Sequence, residues 1–198
     1  MADEYKTTTD KVAEGFYSEK RSKFLAFAIH VTTEQQVKDI VQQYRKKYYD
    51  ARHVCYAYVL GADKELFRAN DDGEPSSTAG KPILGQITKN GLTDILIVVV
   101  RYYGGVNLGT SGLIVAYRTA AADAIAQAEI ISKYCEEEVD FSFPYIMMND
   151  VMKVIKEMSP TIISQTYDNL CEFKLSIRKS LAPILRDRLE KLAFKDEV

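Results

Sequence analysis

ILIVVVRYYGGVNLGTSG, residues 95–112, is the stretch of sequence that decides the fold. Its first six residues are apolar without alternation, which predicts a central strand over 95–101 that is either covered on both faces or well shielded at its ends. Glycines at 104, 105, 109 and 112 follow. Apolar residues that recur at helical intervals after them predict a helix over 113–128. The apolar stripe of this helix is mostly alanine, so we expect the helix to approach the sheet closely.

The chain before this stretch predicts strands and one amphipathic helix. Thr33 and Gln36 have the spacing of a capping box, and the apolar residues after them recur at helical intervals over 34–49. A polar loop at 70–81 precedes Pro82, which opens a short helix. Aromatic and β-branched residues predict strands at 23–31, 54–60 and 66–69.

The chain after residue 130 predicts a second, smaller unit. None of the ten glycines lies beyond Gly112, and the predicted elements follow the order β-α-β-β-α. This order is typical of a ferredoxin-like α+β domain without its last strand. We therefore predict two domains, 1–134 and 135–198. The elements of the second are expected at 139–143, 145–158, 161–167, 170–177 and 180–192.

Composition excludes several classes of protein. The 198 residues include 26 Lys+Arg and 28 Asp+Glu, for a net charge of −2, with 46% hydrophobic residues. Such a chain is neither disordered nor a strongly basic, dedicated nucleic-acid binder, but its charge is compatible with a local basic face. Three widely spaced cysteines indicate neither a disulfide framework nor a zinc site. The longest apolar run has six residues and the N-terminus has no signal-peptide profile, so we expect a cytoplasmic protein without membrane contact.

The glycine-rich loop at 104–112 has two interpretations. Its backbone amides, with the helix N-terminus that follows, are typical of an anion site. Alternatively, the glycines only permit tight turns and close packing. The loop is neither a Walker A motif nor G-x-G-x-x-G, but Leu108-Gly109-Thr110-Ser111 is similar to the phosphate loop of galactokinase-type kinases.

The 70–81 loop carries residues with more than one possible role. Asp71, Asp72 and Glu74 are ligand types for Mg²⁺, but carboxylates that cap turns are the favoured interpretation. The residues Ser76, Ser77, Thr78 and Lys81 suit either a phosphate or the cap of the next helix, and we favour the cap.

Two residues on neighbouring strands also need an explanation. His53 shares a strand face with Cys55, but a histidine held for structural reasons is favoured over a Cys/His nucleophile pair. Arg101 ends the most apolar strand and requires a buried partner, for which we predict a carboxylate of 71–74.

Three segments together resemble the YigZ/IMPACT family. They are RHVCYA at 52–57, DDGEPSSTAGKP at 71–82 and VRYYGGVNLG at 100–109. The combination is far more specific than any single glycine motif, and the resemblance extends over essentially the whole chain. One departure is Ser77, where many relatives carry glycine.

The resemblance implies a fold for each part of the chain. It implies an N-terminal two-layer α/β sandwich similar to the second domain of a small-subunit ribosomal protein, a superfamily shared with galactokinase-type kinases. Residues 139–198 are similar to the last domain of elongation factor G. Eukaryotic relatives regulate translation initiation under amino-acid starvation. A partner-binding domain of the RWD type precedes the shared part in them, and because these 198 residues contain no such segment, that exact role is not expected here.

Two functions remain open. The favoured one is a non-enzymatic RNA- or ribosome-associated factor in translation regulation. The alternative is an enzyme, or an enzyme relic, that binds a phosphorylated small molecule at 104–112. No histidine, lysine or nucleophile stands in a recognised catalytic pattern, so we assign no catalytic residue, cofactor or metal ligand. The oligomeric state is not predicted.

The candidate residues follow from these motifs. Those for nucleic-acid binding are Lys20, Arg21, Lys23, Lys46 and Lys47. Those for ligand binding are Arg52, His53, Asp71, Asp72, Glu74, Ser76, Thr78, Lys81, Arg101, Tyr102, Gly104, Gly105, Asn107, Gly109 and Ser111.

Overall fold

The computed structural model describes residues 3–193 as a mixed α+β protein, so the predicted class is confirmed. The chain divides into two compact units. One is Tyr5–Lys133, and the other holds Tyr134 onward together with residues 3 and 4. No helix among the described residues is long and apolar enough to span a membrane.

The N-terminal unit is built on a five-stranded antiparallel sheet. Its elements and the two short strands that flank them are β1 (Glu4–Thr8), β2 (Ala13–Glu19), β3 (Ser22–His30), α1 (Glu34–Lys47), β4 (His53–Leu60), β5 (Leu66–Asn70), α2 (Gly80–Lys89), β6 (Ile95–Tyr102), α3 (Gly109–Gln127) and β7 (Ile130–Tyr134). The sheet has the strand order β2-β3-β6-β4-β5, and β1 pairs with β7. The predicted central position of β6 is confirmed, since its first seven residues are buried.

Helices cover both faces of this sheet. On one face α2 and α3 pack against side chains such as Ala57 and Ile97. On the other face α1 packs through Val37 and Val41 against Val98 and its neighbours. The unit therefore has three layers, and the predicted two-layer sandwich is wrong. The physical reason is that β6 is apolar on both faces, so both faces need a helix to exclude water.

The close approach of α3 to the sheet is confirmed. A Cβ atom added at Gly15 in β2 would lie 2.3 Å from the backbone nitrogen of Ala124. The helix begins at Gly109, four residues before the predicted start, and α2 begins at Gly80 rather than at Pro82. Glycine disfavours a helix by about 1 kcal/mol relative to alanine. Packing of the following apolar residues against the sheet outweighs this cost.

The C-terminal unit has the predicted β-α-β-β-α order. Its elements are β8 (Glu136–Phe143), α4 (Met148–Met158), β9 (Thr161–Tyr167), β10 (Cys171–Arg178) and α5 (Ala182–Ala193). Strand β10 lies between β8 and β9 and is antiparallel to both. A three-residue 3₁₀ turn precedes each helix, so both α-helices begin later than predicted. The ferredoxin-like assignment stays a prediction, because its last strand would fall at 194–198, outside the described residues.

Three strands were not predicted from the sequence. These are β1, β2 and β7. In β2 the buried positions are Ala13 and Gly15, which lack the branched or aromatic side chains typical of strands. The residues at these positions are small because α3 lies directly over them. This requirement comes from tertiary packing, so the local sequence does not reveal it.

Candidate functional site

A buried ion pair joins the 70–81 loop to the end of β6. Arg101 Nη1 donates to Glu74 Oε1 at 2.6 Å, and the two side chains are 6% and 3% exposed. The Tyr117 hydroxyl of α3 donates to the same oxygen at 2.7 Å. The predicted pairing of Arg101 with a carboxylate of this loop is confirmed.

His53 lies beside this pair and is held on one side by the backbone. Its Nδ1 lies 2.7 Å from the carbonyl oxygen of Asp72. Because a carbonyl oxygen only accepts, Nδ1 carries the proton, and Nε2 of the neutral ring is the free acceptor. Nε2 lies 3.7 Å from Glu74 Oε2, so a protonated His53 would form an ion pair there. The structural role that we favoured for His53 agrees with this geometry.

Cys55 does not form a nucleophile pair with His53. Its thiol donates to the carbonyl oxygen of Asp71 at 3.0 Å and lies 3.4 Å from the Tyr117 hydroxyl. Burial raises the pKa of the Cys55 thiol far above its ordinary range, although the neighbouring Tyr117 hydroxyl acts in the opposite direction. Burial is also the largest cause that raises the pKa of Tyr117, and the neighbouring Cys55 and Glu74 raise it further. Both groups are therefore neutral across the physiological range.

Asp71, rather than the serines and threonine that follow it, caps α2. Its carboxylate accepts from the backbone N–H groups of Ser77, Ala79 and Gly80 at 2.8, 3.0 and 2.8 Å. The residue at the N-cap position is Ala79, and its side chain makes no capping bond. The predicted cap by 76–78 is thus wrong. A carboxylate has more acceptor sites than a hydroxyl and carries a charge that the helix N-terminus favours.

Asp72 has different partners from Asp71. Arg45 Nη2 donates to its Oδ1 at 2.6 Å, and the Val54 N–H donates to its Oδ2 at 2.7 Å. The acidic residues of the loop are therefore spread over separate capping and pairing roles, as favoured from the sequence. Among residues 3–193, no three His, Cys, Asp or Glu side chains are grouped to hold a metal ion.

A cavity of about 440 Å³ lies beside the ion pair. The predicted binding residues that line it are Arg52, His53, Glu74, Arg101, Asn107 and Gly109. The other lining residues, which we did not predict, are Pro75, Tyr103, Leu108, Thr110 and Leu113. The remaining predicted residues do not line the cavity, and they are Asp71, Asp72, Ser76, Thr78, Lys81, Tyr102, Gly104, Gly105 and Ser111.

The first glycine of the 104–112 loop serves packing rather than ligand binding. A Cβ atom at Gly104 would lie 2.2 Å from the carbonyl carbon of Arg21, in the turn between β2 and β3. Gly105 has a φ of +84°, which favours glycine, but nothing lies within 4 Å of its Cβ position. Within this loop, only residues 107–110 line the cavity.

A second concave region has basic and aromatic walls. It measures about 560 Å³, includes no acidic side chain, and lies on the part of the sheet that includes the β2–β3 turn. Lys23 of β3 stands directly opposite Tyr102 of β6. Its lining residues are Phe16, Arg21, Lys23, Leu25, Tyr102 and Tyr103.

The end of α1 adds a further cation and aromatic ring near this region. Lys47 Nζ lies 5.9 Å from the centre of the Tyr44 ring and 5.1 Å from that of Tyr48. Tyr48 and Tyr102 pack against the same apolar cluster. Lys20 and Lys46 are exposed beside Arg21 and Lys47 in the sequence. We call the combined residues the basic–aromatic surface: Phe16, Arg21, Lys23, Lys47, Tyr48 and Tyr102.

Comparison with known proteins agrees with the motifs. The model of the Impact N-terminal domain matches residues 20–125. IMPACT family member YigZ of Escherichia coli is 32% identical over 187 residues, covering 89% of this chain and 92% of its own length. IMPACT family member YvyE of Bacillus subtilis is 31% identical over 160 residues, covering 81% and 74%.

One solved structure matches nearly the whole chain. It is described as a hypothetical protein, is 28% identical, has a TM-score of 0.74, and the match covers 99% of this chain and 96% of the other. The family model spans more than half of the residues, and YigZ aligns with most of them. The chain therefore belongs to the IMPACT family.

Proposed function

We propose that this protein regulates translation as a non-enzymatic RNA- or ribosome-associated factor in the cytoplasm. Family membership directs the search toward translation, because eukaryotic relatives regulate its initiation. The observation that carries the proposal is the basic–aromatic surface, where cations lie beside one exposed ring, Phe16, and two half-buried rings, Tyr48 and Tyr102, and no acidic side chain lines the concave region.

The chemistry of this surface suits single-stranded RNA. Bases that are not paired stack on aromatic side chains, while Lys and Arg neutralise the phosphates between them. Phe16 is 50% exposed and thus free to stack. Lys23 and Arg21 are exposed on the same wall. The net charge of −2 means that attraction for phosphate must come from such a local group of cations.

Two arginines close to Lys47 in the sequence have other positions. Arg45 pairs with Asp72, and Arg52 lines the cavity beside Glu74. Charge reversal at Arg52 would therefore not report on RNA binding alone. Lys23 and Lys47 are the better positions for a test, because neither forms an ion pair with the residues described.

The test measures ribosome co-sedimentation and the binding of single-stranded RNA by fluorescence anisotropy. We expect Lys23→Glu with Lys47→Glu to abolish co-sedimentation and to reduce the dependence of RNA affinity on salt, because fewer counterions are released. Phe16→Ala should weaken RNA binding by about tenfold without changing the salt dependence, because it removes only stacking.

Lys38→Glu is the matched control, since Lys38 is exposed on α1 but lies outside the surface. It should leave binding unchanged. Equal loss in the control and in the Lys23/Lys47 variant would contradict the proposal, as would unchanged binding in both.

A further inference from the structure

The cavity beside the Arg101–Glu74 pair has more positive charge than its one carboxylate can balance. Glu74 accepts from Arg101 and Tyr117. Arg52, at the cavity wall, is exposed and forms no ion pair with any residue in 3–193. This leaves one cation of the cavity without an anionic partner.

Arg101 itself has an unused donor. The residue is 5% exposed, and its buried Nε–H has no hydrogen-bond partner among the described residues. The guanidinium carbon lies 5.6 Å from the ring centres of Phe24 and Tyr103, which accept no conventional hydrogen bond from it. Arg101 also lines the cavity, so its guanidinium adds positive charge to the wall and favours an anionic occupant.

The N-terminus of α3 lies at the same cavity, and no side chain caps it. Its N-cap residue, Leu108, makes no capping bond, and the first turn contains no acidic residue. Gly109 and Thr110 of that turn line the cavity. In α2, by contrast, Asp71 satisfies the corresponding N–H groups. The N–H groups and dipole of α3 therefore add to the attraction for an anion.

We propose that this cavity binds the phosphate group of a small phosphomonoester. The donors come from three elements: Arg52 directly before β4, Arg101 in β6 and Thr110 in α3. Donors converging from several elements suit a tetrahedral group with three terminal oxygens better than a planar carboxylate. The site does not depend on the basic–aromatic surface, so the proposal goes beyond the RNA function.

The remaining walls accommodate the group that carries the phosphate. The volume of about 440 Å³ exceeds that of a phosphate and lies in the range of small-molecule sites. Pro75, Leu108 and Leu113 supply apolar contacts, and Tyr103, 47% exposed, offers a ring face. These walls suit an organic substituent with a planar part, such as a nucleobase.

Isothermal titration calorimetry on the full chain tests this with three probes: inorganic phosphate, AMP and adenosine. We expect inorganic phosphate and AMP to bind and adenosine to bind at least about tenfold more weakly than AMP, because the phosphate provides the charged hydrogen bonds. Equal binding of adenosine and AMP, or no binding of either phosphate probe, overturns the proposal.

Two variants locate the binding. Arg52→Met removes an exposed cation, and Thr110→Asp places a carboxylate at the helix N-terminus, which stabilises the helix but repels phosphate. Each should weaken AMP binding by about tenfold or more, while the thermal midpoint of unfolding is not lowered. The matched controls, Arg118→Met and Thr119→Asp, lie on exposed positions of α3 outside the cavity and should bind AMP normally. Normal binding by the two cavity variants, or equal loss in the controls, overturns the proposal.

Discussion

At the scale of single residues, Arg101 is the residue of the site whose pairing the sequence predicts. It is the residue before last in β6 and follows six buried residues, so its charge must be paired within the protein. We expect Arg101→Met to lower the free energy of unfolding by about 3–5 kcal/mol, since Glu74 is left buried and uncompensated. Arg45→Met is the control, because its pair with Asp72 is 49% and 27% exposed and contributes about 1 kcal/mol or less. Urea denaturation followed by circular dichroism measures both, and equal losses would argue against the buried pair as the main stabilising contact.

The residues of the site differ in how far the sequence could predict them. The partner of Arg101 was predicted correctly, because the apolar strand that precedes it already shows that its guanidinium is buried. A buried guanidinium without a partner is costly in free energy. The sequence favoured carboxylates that cap turns, but the capping of the α2 N-terminus by Asp71 was missed, because it requires the loop to fold back over residues 77–80. Tyr103, Thr110 and Leu113 were also missed as cavity residues, since a cavity wall is assembled from elements distant in sequence. Tyr103 and Thr110 lie in the run YYGGVNLGT, which directly follows Arg101 in the sequence. That position is the signal by which they could have been identified.

At the scale of elements, Tyr58 of β4 ties the sheet to the start of α1. Its hydroxyl donates to Glu34 Oε1 at 2.5 Å. Burial, together with this hydrogen bond, raises the pKa of Tyr58 to about 12 from an ordinary 10.0. The folded protein therefore keeps a proton that the unfolded chain releases, so the stabilisation is complete below pH 10 and is lost as the pH rises toward about 12.

Unfolding of the Tyr58→Phe variant at several pH values tests this contribution. The stability advantage of the unsubstituted protein over the variant should shrink by on the order of 1–2 kcal/mol across that alkaline window. Tyr49→Phe is the matched control at a tyrosine that is 85% exposed, and its difference from the unsubstituted protein should stay constant. An advantage over Tyr58→Phe that stays constant would mean that the phenol has the same pKa in both states, and one that grows would mean that its pKa is lower in the folded state; either result contradicts the prediction.

Most elements could be predicted from local pattern, and their exceptions share one cause. The capping box of Thr33 and Gln36 is present, and α1 begins at Glu34 as expected. Strand β2 was missed because its buried residues are small enough to admit α3. The first turns of α2 and α3 were missed because they contain glycine. In each case contacts between distant segments outweighed local propensity.

At the scale of the whole molecule, each compact unit has its own apolar core. The larger unit buries residues such as Ile97 and Val98 on the two faces of β6. The smaller unit buries Leu175 among the side chains of β8, β10, α4 and α5. Cover on both faces was one of the two interpretations of the apolar, non-alternating sequence of β6, so the third layer was predictable in principle. The family resemblance led instead to two layers.

Separate cores lead us to expect that the two units unfold independently, as the predicted domains 1–134 and 135–198 require. Leu175 and Ile97 are both 0% exposed, each in the middle strand of its own sheet. Truncation of either to alanine should cost about 2–5 kcal/mol in the unit that contains it, because a cavity is left in a packed core. In hydrogen-exchange mass spectrometry, Leu175→Ala should lower protection in β10 but not in β6, and Ile97→Ala should do the reverse. If either substitution lowers protection equally in both strands, the two units form one cooperative fold and the domain prediction is wrong.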